Sequence, residues 1–181
     1  MGDVPIHVPV GSQAYRWLQC VGDADFDALN STDLLSLVSS SWRLRVRLIV
    51  ENERGEPLRE SGLLWLSSHV LAMTAAVRDV ARPVLEGQGV FAPLRSDDGD
   101  FWIFVPDLCD ALNEAGSSVT RFSSGRVMYV SRYDFHPDRL VGRIVFRIPQ
   151  LPKGPLFCAE RVVDTLSAES GVGFQQVWPA S

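Results

Sequence analysis

The stretch Arg143–Trp178, RIVFRIPQLPKGPLFCAERVVDTLSAESGVGFQQVW, holds in order a short apolar run, a turn broken by Pro and Gly, an amphipathic helix, a glycine turn and a closing apolar strand. A similar order runs through Leu63–Leu94, LLWLSSHVLAMTAAVRDVARPVLEGQGVFAPL. Both copies enter a helix through small or polar residues. Both leave it through glycine into a Phe-x-x-apolar segment, Phe91–Leu94 and Phe174–Val177. Counted from Ser68 and from Glu160, the two phenylalanines lie 23 and 14 residues further on, so the repeat is imperfect. One helix and strand cannot bury its own apolar side, whereas two such units around a common sheet can. The expected class is therefore α+β, a mixed and mostly antiparallel sheet with about three helices and about seven strands.

Outward from these units, Trp42–Val50 reads as the clearest strand, with Trp42, Leu44, Val46, Leu48 and Val50 alternating with Arg43, Arg45 and Arg47. Residues 1–14 read as an irregular lead-in with room for a short edge strand, Tyr15–Val21 as a strand, and Asp23–Asn30 as an acidic, turn-rich segment. Asn30 or Ser31 is placed to cap a short helix over Asp33–Val38. In the first unit, Leu63–Leu66 is a short strand, and Ser67 or Ser68 is the expected cap of a helix over His69–Val84 that Pro83 bends or ends. Gly87 and Gly89 lead into a strand over Val90–Leu94, and Asp97–Asp100 turns the chain back. Phe101–Val105 (FWIFV) is apolar throughout, as a central strand is. Pro106 suits the first turn of a helix over Asp107–Asn113, and SSGR joins Val119–Phe122 to Val127–Val130 as a hairpin.

At 181 residues the chain fits a single domain, 1–181, large enough to bury roughly two thirds of its unfolded surface. Hydrophobic residues make up 46%, so the core needs neither metal nor disulfide. Lys plus Arg is 17 against 22 for Asp plus Glu, a net charge of -5, and this argues against a nucleic-acid partner, which requires clustered positive charge. Cys20, Cys109 and Cys158 are odd in number and lack CxxC spacing, which suits a reducing compartment. The start, MGDVPIHVPV, lacks the basic and then apolar order of a secretory signal, and Ile6 stands where a myristoylation signal has Ser or Thr. No apolar run approaches the roughly 20 residues that cross a bilayer. The expectation is a cytoplasmic protein without a membrane partner.

The candidate chemistry is sparse. His7, His69 and His136 do not pair with one another or with cysteine at ligand spacing. Asp134-x-His136-x-Asp138 is the one cluster with metal-like spacing, and the same residues suit a solvated loop; His69 reads as a surface or capping residue. Ser67-Ser68-His69 reads as a cap and not as part of a triad. Cys109 and Cys158 fall at expected helix starts, where a thiol pKa can drop, but their apolar neighbours favour buried structural cysteines. Gly87-x-Gly89 lacks the third glycine of a dinucleotide fingerprint and follows a helix. Neither Glu160 nor Glu169 has a second helical carboxylate at catalytic spacing. Trp65 and Trp102 have the make-up of interface anchors, but their place in apolar strands favours core. These residues point to neither an enzyme nor a cofactor. Arg43, Arg45 and Arg47 form a row at steps of about 6 to 7 Å, suited to an acidic protein surface or a phosphate. The alternative is a solvated strand face balanced by the chain's own acids, among them Glu51, Glu53 and Glu56.

FWIFVPDLCDAL, a hairpin, IVFRI and FCAERVVDTLSAESGVGF follow one another in an order that resembles a large family of bacterial immunity proteins from polymorphic toxin systems. This is the eleventh of the usual immunity series, formerly a domain of unknown function. Its members pair an aromatic strand and an N-V/L-x-D-x-L segment with an I/V-F-R-L/I strand, an S-E-R-V/L-x-x-x-L helix and a closing G-V/L-x-F-x-x-V. The matching positions are Phe101–Leu112, Val145–Ile148, Ala159–Leu166 and Gly171–Val177. LLWLSSHVLAMTAAV and GVFAPL resemble the family's first S-x-x-V helix and E-F-x-P-L/V strand, so the likeness covers residues 63–178 and is weaker upstream. Two departures stand out: Ala159 replaces a usual serine, and His69 follows Ser68 where Glu-Arg is common.

The resemblance implies a protein that neutralises a cognate toxin or effector by stoichiometric binding, without turnover. It supplies no catalytic residue, and it makes the Val145–Arg147 segment core. An acidic surface would then steer a basic toxin, such as a nuclease, onto the inhibitor. Two other readings stay open: an adaptor or chaperone that binds an effector without inhibiting it, and a small cysteine hydrolase built on Cys158 or Cys109. Arg43, Arg45 and Arg47 are the candidate contacts; oligomeric state is left open.

Overall fold

The apolar alternation and the turn signals resolve into twelve strands and four α-helices among the described residues. The structure is a computed structural model that describes residues 4–169 and 171–179. The first half holds β1 (Ile6–Gly11), β2 (Trp17–Cys20), α1 (Asp23–Leu29), α2 (Leu34–Ser39), β3 (Val46–Ile49), β4 (Leu63–Leu64), β5 (Leu71–Thr74), α3 (Ala75–Leu85) and β6 (Gly89–Pro93). The second holds β7 (Phe101–Pro106), β8 (Ser118–Arg121), β9 (Val127–Arg132), β10 (Val145–Phe146), β11 (Phe157–Ala159), α4 (Glu160–Leu166) and β12 (Val172–Trp178). The class is α+β, and every pairing between named strands is antiparallel.

The two sequence units build two four-stranded sheets of the same design. One has the order β4-β5-β7-β6 and the other β10-β11-β1-β12. In the first, β5 and β6 both run antiparallel to β7, so α3 joins two parallel strands with a third slotted between them. In the second, α4 joins β11 and β12 in the same way, around β1. The match extends to single hydrogen bonds. Thr74 N donates to Gly62 O at 2.9 Å, as Ala159 N does to Ile144 O at 2.8 Å. Asp107 N donates to Gln88 O at 3.0 Å, as Ser12 N does to Gly171 O at 3.3 Å. The inserted strand follows its unit in the first sheet, whereas in the second it is supplied by the start of the chain. The two units are thus related by a circular permutation.

The sheets meet at two equivalent corners. At one, Gly171 N donates to Ser61 Oγ at 2.8 Å beside β4. At the other, Ile144 N donates to Gln88 Oε1 at 3.3 Å, and Gln88 Nε2 to Gly142 O at 3.1 Å. Gly171 has to be glycine, because a Cβ there would lie 2.2 Å from Leu63 O. Facing side chains of both sheets (Leu71, Met73 and Phe104 from one, Val145, Cys158 and Val172 from the other) share a core with Val77, Ala81 and Leu85 of α3 and Val162 and Leu166 of α4. The outer face of the first sheet packs Ala72, Ala92 and Ile103 on α1, α2, β2 and β3. That of the second packs Phe146, Phe157 and Trp178 on Phe135 and the β8–β9 hairpin. Each buried aliphatic or aromatic side chain contributes about 1.5–3 kcal/mol.

Several expectations change. The first-unit helix begins at Ala75 and not at His69, since Leu71–Thr74 is needed by the sheet, where it pairs with β4 and β7. Thr74, and not Ser67 or Ser68, is the cap, its side chain accepting from Val77 N at 3.5 Å. Ser68 therefore does not start a helix as the family's first motif requires. Counted from Ala75 and Glu160, Phe91 and Phe174 lie 16 and 14 residues on, and the repeat is closer than it read. No helix covers 107–113: Pro106 ends β7, and the chain continues extended, Leu108 bridging Arg147 and Leu112 bridging Phe135 while Ala111 and Leu112 enter the core. Asp23–Leu29 is a helix, with Asp23 and Asp25 in its first turn, where carboxylates suit the dipole. At the N-terminus β1 lies inside its sheet and not at an edge, though residues 1–3 lie outside the described set. The strand expected over Trp42–Val50 is confined to Val46–Ile49, and the short helix before it is Leu34–Ser39 without a side-chain cap.

Candidate functional site

The arginine row exists, and its members are already bonded within the chain. Arg43, Arg45 and Arg47 are exposed while Leu44 and Val46 are buried, as the alternation requires. Arg43 Nη1 donates to Ser40 O at 2.8 Å and Trp42 O at 2.7 Å. Arg47 donates to Gln19 Oε1 from Nε at 3.0 Å and from Nη2 at 2.6 Å. Arg45 is held most firmly: its backbone N, Nε and Nη2 lie 3.0, 3.1 and 3.0 Å from the Asp25 carboxylate. Asp25 is only 3% exposed, so this pair fastens α1 to the chain entering β3.

The other candidates serve the fold. His69 is 2% exposed and not a surface residue. Its Nε2–H donates to Leu29 O at 2.8 Å, which leaves Nδ1 to accept from Ser67 Oγ at 2.9 Å. Burial lowers its pKa, the bond to Leu29 opposes this, and the charges of Arg147 and Lys153 lower it further. Asp134 is a strut, accepting from Asn113 Nδ2 at 2.6 Å and Trp178 Nε1 at 3.0 Å, and His136 leads into a 3-10 turn, Pro137–Leu140. Among the described residues, no three His, Cys, Asp or Glu converge as metal ligands. Cys158 sits in β11, directly before the Ala159 cap of α4, whereas Cys109 lies in extended chain and not at a helix start. Burial raises both thiols, Cys158 far more, and pushes Cys20 up to about 11 with help from the Asp25 charge. Arg147 is 2% exposed, its Nε donating to Pro106 O at 3.0 Å, so the Val145–Ile148 segment is core. The Glu160 side chain is exposed at the start of α4, and the side chain of Glu169 lies outside the described set.

A concavity of about 1060 Å³ opens between the end of β1 and the loop after β3. Trp17, Trp65, Ile49, Leu58, Pro9 and Val10 supply its apolar lining. Trp17 and Trp65 are joined by a parallel bridge, with Leu18 N donating to Trp65 O at 2.9 Å. The Trp65 indole lies against the β1 backbone because residue 11 is glycine; a Cβ there would lie 2.6 Å from Cδ2 of the ring. Around the apolar floor stand Glu51, Glu53 and Glu56, with Arg54 among them. Their loop is held from within. Asn52 Oδ1 accepts from Arg54 N at 2.9 Å and Glu56 N at 3.0 Å, Asn52 Nδ2 donates to Glu56 Oε2 at 2.7 Å, and Gly55 turns at φ +74°.

Sequence reasoning weighed Trp65 as an interface anchor and favoured core, and Trp65 does pack against the core between the sheets; it gave Trp17 no role. Trp17 opens β2 and Trp65 directly follows β4, and only the tertiary bridge sets the two residues side by side. NERGEP, as an exposed turn, was the visible signal for the rim. Among the described residues no helix is long and apolar enough to cross a membrane. No family model matches the chain, and no curated protein matches it closely enough to count as a relative.

Proposed function

We propose that the protein is an immunity protein, binding a cognate bacterial toxin or effector domain one to one and neutralising it without turnover. The motif order over residues 101–178 supports this reading, whereas the first-unit motif does not, because the helix there starts at Ala75. The observation that carries it in the structure is the groove: two indoles lined by three carboxylates of a hydrogen-bonded loop suit polypeptide side chains. The acidic balance of the chain, -5, adds steering toward a basic toxin. The cysteine-hydrolase reading is disfavoured by thiols that burial has raised, since the thiolate is the nucleophile.

The test is co-purification of the tagged protein with the product of the adjacent upstream gene, followed by an assay of that product's toxicity. Equal stoichiometry with loss of toxicity supports immunity. Binding with toxicity intact supports the adaptor, and absence of both binding and protection rejects the proposal.

A further inference from the structure

We infer that the groove over Trp17 and Trp65 docks a loop of the partner protein that presents an arginine flanked by apolar residues. This rests on the immunity reading for the identity of the partner; the chemistry is drawn from the groove itself. Its floor is aromatic and aliphatic, and its rim carries three carboxylates against one guanidinium. A cation over an indole, with carboxylates within reach, satisfies both parts at once. Arginine fits better than lysine because its planar head stacks on an aromatic face while its N–H fork meets carboxylates. The chain already pairs these groups elsewhere: Arg78 lies over the Trp102 ring at 4.2 Å from its centroid.

Two further features favour a segment of polypeptide over a lone side chain. The lining takes in Pro9–Gln13, past Ile6 and His7, the residues of β1 that β11 pairs. Val10, in that open stretch, is 45% exposed. The equivalent place in the other unit, by contrast, is filled. Arg147 occupies the position of Trp65, just after its short strand, and is buried with its Nε bonded to Pro106 O. One architecture thus occurs twice in the chain, closed from within in one copy and open in the other.

The experiment is titration of the full-length protein with the peptides Ac-LRLRL-amide and Ac-LELEL-amide and with N-acetylarginine methylamide, following the indole N–H resonances by NMR. Saturable shifts at Trp17 and Trp65 with the arginine peptide, and none with the glutamate peptide, are expected. The triple variant Glu51→Gln, Glu53→Gln, Glu56→Gln should weaken binding about tenfold, and Arg54→Glu should tighten it about threefold. All four side chains are exposed on the loop, and Glu56→Gln keeps an oxygen for Asn52 Nδ2, so folding is preserved. Unmoved Trp17 and Trp65 resonances, or equal binding by the glutamine variant, overturn the inference. So does N-acetylarginine methylamide binding as tightly as the peptide, which would mark a small-cation site. Neutralisation that survives the glutamine variant discards the groove and keeps immunity. Peptide binding by a protein that neutralises nothing discards immunity and keeps the groove.

Discussion

At the scale of single residues, the charges that looked available for a partner are largely structural. Arg45→Glu would set a carboxylate against the buried Asp25, and with the Arg45 side chain half exposed we expect a loss of about 1–3 kcal/mol, read from the urea unfolding midpoint. Arg47→Glu gives up bonds to Gln19 at an exposed site, and its cost should stay within about 0.5 kcal/mol. Arg47 is therefore the member of the row at which a binding defect would report contact and not misfolding. Equal midpoints for the two variants would show that Asp25 does not anchor Arg45. His69 gives a pH signature. Its folded pKa lies below the unfolded value of about 6.5, so its share of stability is present above that pH and is lost as pH falls below it. His69→Leu should cost about 1–3 kcal/mol at neutral pH, where two buried hydrogen bonds vanish, and the gap from wild type should narrow toward acid pH. A gap that stays constant from neutral to acid pH would refute a neutral buried imidazole.

At the scale of elements, what the sequence disclosed followed local periodicity, and what it hid was decided by distant partners. Phe101–Val105 reads as a central strand, and β7 lies between β5 and β6. The SSGR hairpin is found as β8 and β9, with Gly125 at φ +83°. In both cases the signal sits within the segment. Leu71–Thr74, by contrast, has helical spacing and is drawn into a strand by β4 and β7, which moved the expected helix start by six residues from His69 to Ala75. Leu108–Leu112 likewise follows a proline suited to a helix start and is held extended by Arg147 and Phe135. The groove was harder to see, because its two tryptophans come from strands far apart in the chain and the sequence records no contact between them. The corners between sheets are equally tertiary. Gly171→Ala would push a methyl group into Leu63 O and Ser61 Oγ, and we expect a loss of about 1–3 kcal/mol in chemical unfolding. A neutral result would mean that the corner yields without cost.

At the scale of the whole molecule, the permuted relation between the units makes a prediction about connectivity. Ile6 and Trp178 are register partners, so the ends of β1 and β12 lie side by side. Joining them through a short Gly/Ser linker and reopening the chain at Val141–Gly142, where Val141 is 73% exposed, would give both units the same strand order along the chain. This variant should unfold cooperatively, within about 1 kcal/mol of the parent. Loss of a single cooperative transition would show that the native connectivity is required. The repeat was legible at its Phe-x-x-apolar ends, but its permutation was not, since nothing local in Ile6–Gly11 assigns it to the far end of the chain. That assignment also governs the order in which the protein can assemble as it leaves the ribosome. The β4-β5-β7-β6 sheet can close while the rest is still being translated. β1 is synthesised before that sheet and waits for β11 and β12, which follow it, with no ladder partner on either flank until then. A nascent chain halted before residue 157 therefore carries β1 unpaired, and the sheet around β1 is complete only when β12 has paired with it.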